Sequence, residues 1–239
     1  VSTIYRAGTT SDASNANVHL PAARIHATEL QVGAVRGLAY LRGGNRLFAS
    51  AYSKRHTLWG DTNTGTAGKQ FDSTAPDRIY IINRAASGTT GVSVFTTIEA
   101  GNENHSTANL QGDLSWWDLV GRRAFGGIDV SEAEDFLYAA NMSDKLIYRT
   151  AIAADFTAGT TTSFSIATLA QQACGLTITG TGNDAFGAGL SATSDDNDWV
   201  PGGIKFHEGQ LYVTVTCTAQ TLGEHYGTAA AGERCEGGV

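Results

Sequence analysis

The feature that most constrains this chain is a motif that occurs three times: Gly followed by Ile or Leu, then Leu followed by Phe or Tyr eight to ten residues on. The first copy is Gly37-Leu38-Ala39-Tyr40 with Leu47-Phe48-Ala49-Ser50-Ala51. The second is Gly127-Ile128-Asp129-Val130 with Leu137-Tyr138-Ala139-Ala140-Asn141, and the third is Gly203-Ile204-Lys205-Phe206 with Leu211-Tyr212-Val213-Thr214-Val215. Each copy reads as strand, turn, strand, with Gly43-Gly44-Asn45, Glu132 to Asp135, and His207-Glu208-Gly209 as the turns. A glycine opening each copy fits a place where backbones crowd together.

Two copies continue into a second hairpin. Asp77-Arg78-Ile79-Tyr80-Ile81-Ile82-Asn83 precedes Val92-Ser93-Val94-Phe95, and Lys145-Leu146-Ile147-Tyr148-Arg149 precedes Ser163-Phe164-Ser165-Ile166. A four-stranded antiparallel unit repeated along a chain predicts the blades of a β-propeller. The expected organisation is a single all-β propeller domain over 1–239. Its blade units are placed at 1–32 (partial), 33–100, 121–170 and 199–239 (partial), with insertions at 56–77 and 175–198. Ser2-Thr3-Ile4-Tyr5-Arg6 resembles the third strand of a blade, and Leu146 to Arg149 is its internal relative. Closure needs at least about four blades, so either the two ends complete one another in a velcro-like blade or the rest of the ring lies outside these residues. The expectation is the second, an incomplete ring or a piece of a longer protein.

Composition agrees. There are 29 glycines, 3 prolines and only 16 Lys plus Arg, while Thr, Ser and Ala fill the polar and small positions. Such a chain is rich in turns and poor in the residues that build long amphipathic helices. A net charge of −7 argues against nucleic acid as a partner, which requires a surplus of cations. No run approaches the ~20 apolar residues of a transmembrane helix.

The run Gly37 to Tyr40 … Leu47 to Tyr52, followed by Ser53-Lys54-Arg55-His56, resembles the first blade of bacterial surface propellers with NHL- or YVTN-like blades. The second and third copies are similar to later blades of the same kind. Such propellers accompany serine-aspartate-repeat-type B domains and adhesin modules. The resemblance implies a propeller fold and a secreted or cell-surface location, with protein, carbohydrate or a further copy of the chain as partner.

Candidate sites follow from residue chemistry. Lys54, Arg55 and His56, with Trp59 nearby, form a basic run suited to an anionic ligand; the alternative is an internal pairing with Asp129 or Asp144. Asp195, Asp196 and Asp198 offer hard oxygen ligands for Ca²⁺, against the reading of a solvated acidic turn. Asp129 and Asn141 imitate the single residues from which propeller hydrolases assemble a central Ca²⁺ site. Trp59, Trp116, Trp117 and Trp199 either stack on sugars or fill the wedge between blades. Of the cysteines, Cys217 and Cys235 bracket a short loop and are expected to pair, leaving Cys174; the alternative is three free thiols. Asn104 and Asn141 open glycosylation sequons, Asn141 at a predicted inner strand.

No nucleophile elbow, zinc-protease motif or phosphate loop occurs, and the six histidines lack ligand spacing. The expected function is therefore a non-catalytic module for binding, adhesion or assembly. A divalent-metal-dependent lactonase or phosphodiesterase is the alternative, and a filament or sheath subunit is the third reading.

Overall fold

The computed structural model describes residues 25–53, 77–86, 88, 90–99, 120–176 and 198–218. Among the described residues ten strands form three antiparallel sheets, with two short helices beside them. The first contains β1 (Val35–Leu41), β2 (Arg46–Ala51), β3 (Arg78–Asn83) and β4 (Val92–Thr97) in sequence order. The second contains β5 (Phe125–Val130), β6 (Phe136–Asn141), β7 (Leu146–Ile152) and β8 (Ala158–Ser165), again in order. The third is the pair β9 (Trp199–His207) and β10 (Gln210–Cys217). Helix α1 (Glu29–Val32) precedes β1, and α2 (Ala167–Cys174) follows β8. The all-β expectation and the four-stranded units hold. The described sheets do not close into a ring.

Alternation sets the faces. In β1, Gly37, Ala39 and Leu41 are buried while Leu38 and Tyr40 are exposed. β3 is buried on both faces: Ile79 and Ile81 point one way, Tyr80 and Ile82 the other. The first set joins Phe48 and Phe95 against Phe125, Ile128, Val130 and Leu137 of the second sheet. The opposite set joins Ala49 and Ala51 beneath Ala27 and Val32 of the α1 segment. Strand β8, rich in Thr, lies at the sheet edge and is exposed almost throughout, as an outermost strand can be.

The sheets stack through their first strands, β1 against β5 and β5 against β9. The glycine of the repeat makes this approach. A Cβ on Gly37 would lie 2.9 Å from the backbone nitrogen of Ile128, and one on Gly127 would lie 2.5 Å from that of Ile204. The same position in two successive units thus meets the same position in the next, where no side chain fits. A bridge between Tyr52 and Ala124 adds a backbone link from the first sheet to the second.

Antiparallel order gives the stack two unlike ends. Short turns join β1 to β2, β3 to β4, β5 to β6, β7 to β8 and β9 to β10 at one end. At the other, the described chain leaves at Ser53, Glu99 and Thr218 and re-enters at Asp77, Val120 and Asp198. The expected insertions at 56–77 and 175–198 fall almost wholly outside the described residues, as does the strand expected at Ser2 to Arg6.

Helix α2 departs from the strand-only reading of this stretch. Leu169, Gln171 and Gln172 favour helix, Ser165 Oγ accepts the N–H of Ala167, and Gly175 ends the helix in the left-handed conformation.

The cysteine pairing expected from sequence is corrected. Cys217 is bonded to Cys174, with Cα atoms 5.5 Å apart, and Cys235 lies outside the described residues. The last residue of α2 and the last of β10 are brought together by the packing of α2 over the third sheet. Proximity in sequence to Cys235 carried no information about this.

Candidate functional site

The turn end of the stack is closed by carboxylates acting on backbone. Glu134, held at φ 60°, accepts the N–H groups of Arg42 and Gly43, each at 2.7 Å, and so ties the second sheet to the turn of the first. Glu132 accepts the N–H of Glu208 at 2.6 Å, tying the second sheet to the third. Ser131 Oγ donates to Asp135 and accepts the N–H of Phe136, which fixes the turn between β5 and β6. A cavity of 510 Å³ also opens at this end, bordered by Ile25, His26, Asn45 and Arg84. The Arg84 guanidinium lies 5.3 Å from the Tyr40 ring centroid.

The opposite end holds a different arrangement. Arg36 stands one residue before the repeat glycine of β1. Its guanidinium donates to Met142 Sδ at 3.7 Å and lies 5.3 Å from the Tyr52 ring centroid. Neither contact neutralises it. Gly121-Arg122-Arg123 leads into β5, with Arg123 buried. Between Arg36, Arg122, Met142, Val200, Pro201 and Thr216 lies a cavity of 290 Å³, and none of its described lining residues is acidic. Its described wall comes from β1, from the segments just before β5 and just after β6, and from β9 and β10.

The sequence-selected residues are distributed otherwise. Lys54, Arg55, His56 and Trp59 lie outside the described residues, as do Asp195, Asp196, Trp116, Trp117 and Asn104. Asp198 is buried, and its carbonyl accepts the N–H of Thr218; it is not part of a solvated turn. Asp129 binds Lys205 Nζ at 2.9 Å and the N–H of Phe206 at 2.8 Å, locking β5 to β9. Asn141 is fully buried; its amide donates to the Glu99 carbonyl and its oxygen accepts the N–H of Ser143.

Asp129 and Asn141 do not converge. Asn141 pairs with Phe125 and Asp129 with Tyr138 in the register of β5 and β6, which separates them by about 10 Å or more at ~3.3 Å per residue. A shared cation needs ligand distances of about 2.3–2.6 Å. Trp199 is fully buried among Ala140, Ile147 and Ala170, with Lys145 Nζ 5.4 Å from its ring centroid, so it fills a wedge between sheets.

One carboxylate is perturbed. Burial raises the Asp144 pKa, and the Glu99 charge adds to the rise; hydrogen bonds from the Tyr148 hydroxyl and the Leu146 N–H oppose it. Burial, with Asp144 beside it, also raises the Tyr148 phenol. Asp144 therefore has Tyr148 as a partner. Among the described residues no group of three or more His, Cys, Asp or Glu is placed to hold a metal ion.

Arg36 and Arg122 were not singled out by sequence reasoning. The available signals were an arginine directly before the repeat glycine and an arginine pair directly before Phe125. Neither predicts that the two meet, because they come from different units. No protein-family model matches the chain, and no curated protein sequence matches it.

Proposed function

We propose that this chain is a β-propeller module of a secreted or cell-surface protein, serving binding, adhesion or assembly without catalysis. The observation that carries the reading is the repeated glycine contact, Gly37 on Ile128 and Gly127 on Ile204. It stacks one unit on the next through first strands, which is how blades surround an axis. Burial supports continuation at both ends. Ile128 and Val130 are 3% and 8% exposed under the first sheet, whereas their counterparts Leu38 and Tyr40 are 48% and 45% exposed. Tyr212, on the face of the third sheet turned away from the second, is 53% exposed. The Cys174–Cys217 disulfide supports an oxidising compartment. Among the described residues no helix is long and apolar enough to cross a membrane.

Native protein alkylated without reduction and mapped by mass spectrometry is expected to show Cys174 joined to Cys217. The purified chain supplied with Ca²⁺ is expected to leave lactone and phosphodiester substrates intact, and to bind saturably on an array of glycans and matrix proteins. Free thiols at both Cys174 and Cys217 in the native protein would overturn the location, and metal-dependent turnover would overturn the non-catalytic role.

A second reading, assembly into filaments, draws on the same exposed faces, since Leu38 with Tyr40 at one end and Tyr212 at the other suit a head-to-tail contact. A sedimentation coefficient independent of concentration would remove it.

A further inference from the structure

We propose that the cavity beside Arg36 binds the carboxylate of a small hydroxylated acid, of the sugar-acid class. The inference deepens the binding-module reading and rests on it. In a chain with 23 acidic residues against 16 Lys plus Arg, a cavity whose described lining residues include two arginines and no acid is a local reversal of charge among the described residues. Low-dielectric walls make such a reversal felt more strongly by an entering anion.

Arg36 is placed for this role. It is exposed, and its partners among the described residues are a thioether and an aromatic ring. Neither of these two partners carries a negative charge, and the planar fork of the guanidinium matches a carboxylate. Arg122, on the lead-in to β5, also has a partner within the protein and supplies a second positive charge at the rim. Thr216 provides a hydroxyl able to donate or accept, and Met142, Val200 and Pro201 provide an apolar wall for the C–H face of a ring.

Size sets the ligand class. Pockets for drug-sized ligands span about 300–1,000 Å³, and 290 Å³ lies at the bottom of that range. A single acidic sugar residue suits it, either free or at the end of a chain. Its described lining comes from β1, from the segments just before β5 and just after β6, and from β9 and β10, so it is positioned by the stack itself.

The test uses the full chain and D-glucuronate, followed by ligand-detected NMR and calorimetry, with glucose and inorganic phosphate as comparison probes. Glucuronate is expected to bind with an affinity that falls as salt is raised, and glucose at least tenfold more weakly. Arg36→Gln is expected to weaken glucuronate at least tenfold, and Arg36→Lys less. Arg42→Gln, at the opposite end, is expected to leave binding unchanged, with thermal midpoints compared for all variants. Absence of glucuronate binding, equal binding by Arg36→Gln, or phosphate binding as tight as glucuronate would overturn the proposal. A chain that binds a glycan or matrix protein on the array but fails these tests keeps the module reading and loses the pocket.

Discussion

Between the first and second sheets, two complete four-stranded faces meet, and the contact is apolar across its width: Phe48, Ile79, Ile81 and Phe95 against Phe125, Ile128, Val130 and Leu137. Between the second and third, a complete sheet meets only two described strands. There the apolar set is narrower, centred on Trp199 with Ala140 and Ile147, and α2 adds Ile166 and Ala170. Other devices supplement it: the Asp129–Lys205 pair, the stacked rings of Tyr138 and Phe206 with centroids 5.4 Å apart, and the Cys174–Cys217 bond. The same glycine contact therefore works in two settings. At the first it stands beside a broad apolar set with the Glu134 and Asn141 hydrogen bonds and the Tyr52–Ala124 bridge; at the second, among the described residues, it stands beside the Trp199 cluster, an ion pair, a ring stack and a disulfide.

Removing the disulfide should separate the two interfaces most clearly. It spans 43 residues, for which loop-closure entropy gives about 4 kcal/mol, and measured values run at about 2–4 kcal/mol. The double variant Cys174→Ala/Cys217→Ala is expected to lose that stability in urea. Hydrogen exchange should accelerate in β9 and β10 while β2 and β3 stay protected. Equal acceleration everywhere would mean that the interfaces are not independent.

Gly127→Ala comes next, with an expected loss of about 1–3 kcal/mol from overpacking against the Ile204 backbone. Gly37→Ala should cost less, since its nearest neighbour is the Ser50 hydroxyl and the closest backbone atom is 2.9 Å away. The reverse order would break the comparison.

Lys205→Met is expected to cost under about 1 kcal/mol, because the lysine side chain is 69% exposed. Asp129→Ala should cost more than Lys205→Met, as it also leaves the N–H of Phe206 without its partner.

The smallest effect belongs to the polar margin of the first interface, where Asn141 reaches Glu99 and Asp144 sits nearby. Because burial raises the folded-state pKa of Asp144, the folded protein holds this proton more tightly than the unfolded chain. Its contribution is fully present below the unfolded pKa and lost as pH rises through the folded one. Relative to Asp144→Asn, the native chain should thus gain stability as pH falls through that window, measured by urea unfolding at a series of pH values.

The strands of the two complete units were legible because their apolar residues alternate or run continuously, as in Ile79 to Ile82. The start of β8 was not, because Ala158 to Thr162 has no apolar alternation to mark it. Helix α2 was hidden by its shortness and by its place directly after a strand. The disulfide depended on where α2 packs, which local sequence does not encode. Of the candidate site, the basic run at Lys54 to His56 lies beyond the described residues. Arg36 and Arg122 become neighbours only when successive units stack, so no single segment announces them.

The Cys174–Cys217 bond also has a mechanical consequence. A pull transmitted along the backbone from Thr218 toward the second sheet crosses the sulfur bridge from β10 directly to the end of α2. The intervening stretch, including both strands of the third sheet, bears none of that tension. It withholds a contour length of about 140 Å at ~3.3 Å per residue. Reduction would turn a short, stiff link into a long extensible one, so the redox state sets how far this part of the chain can lengthen under load.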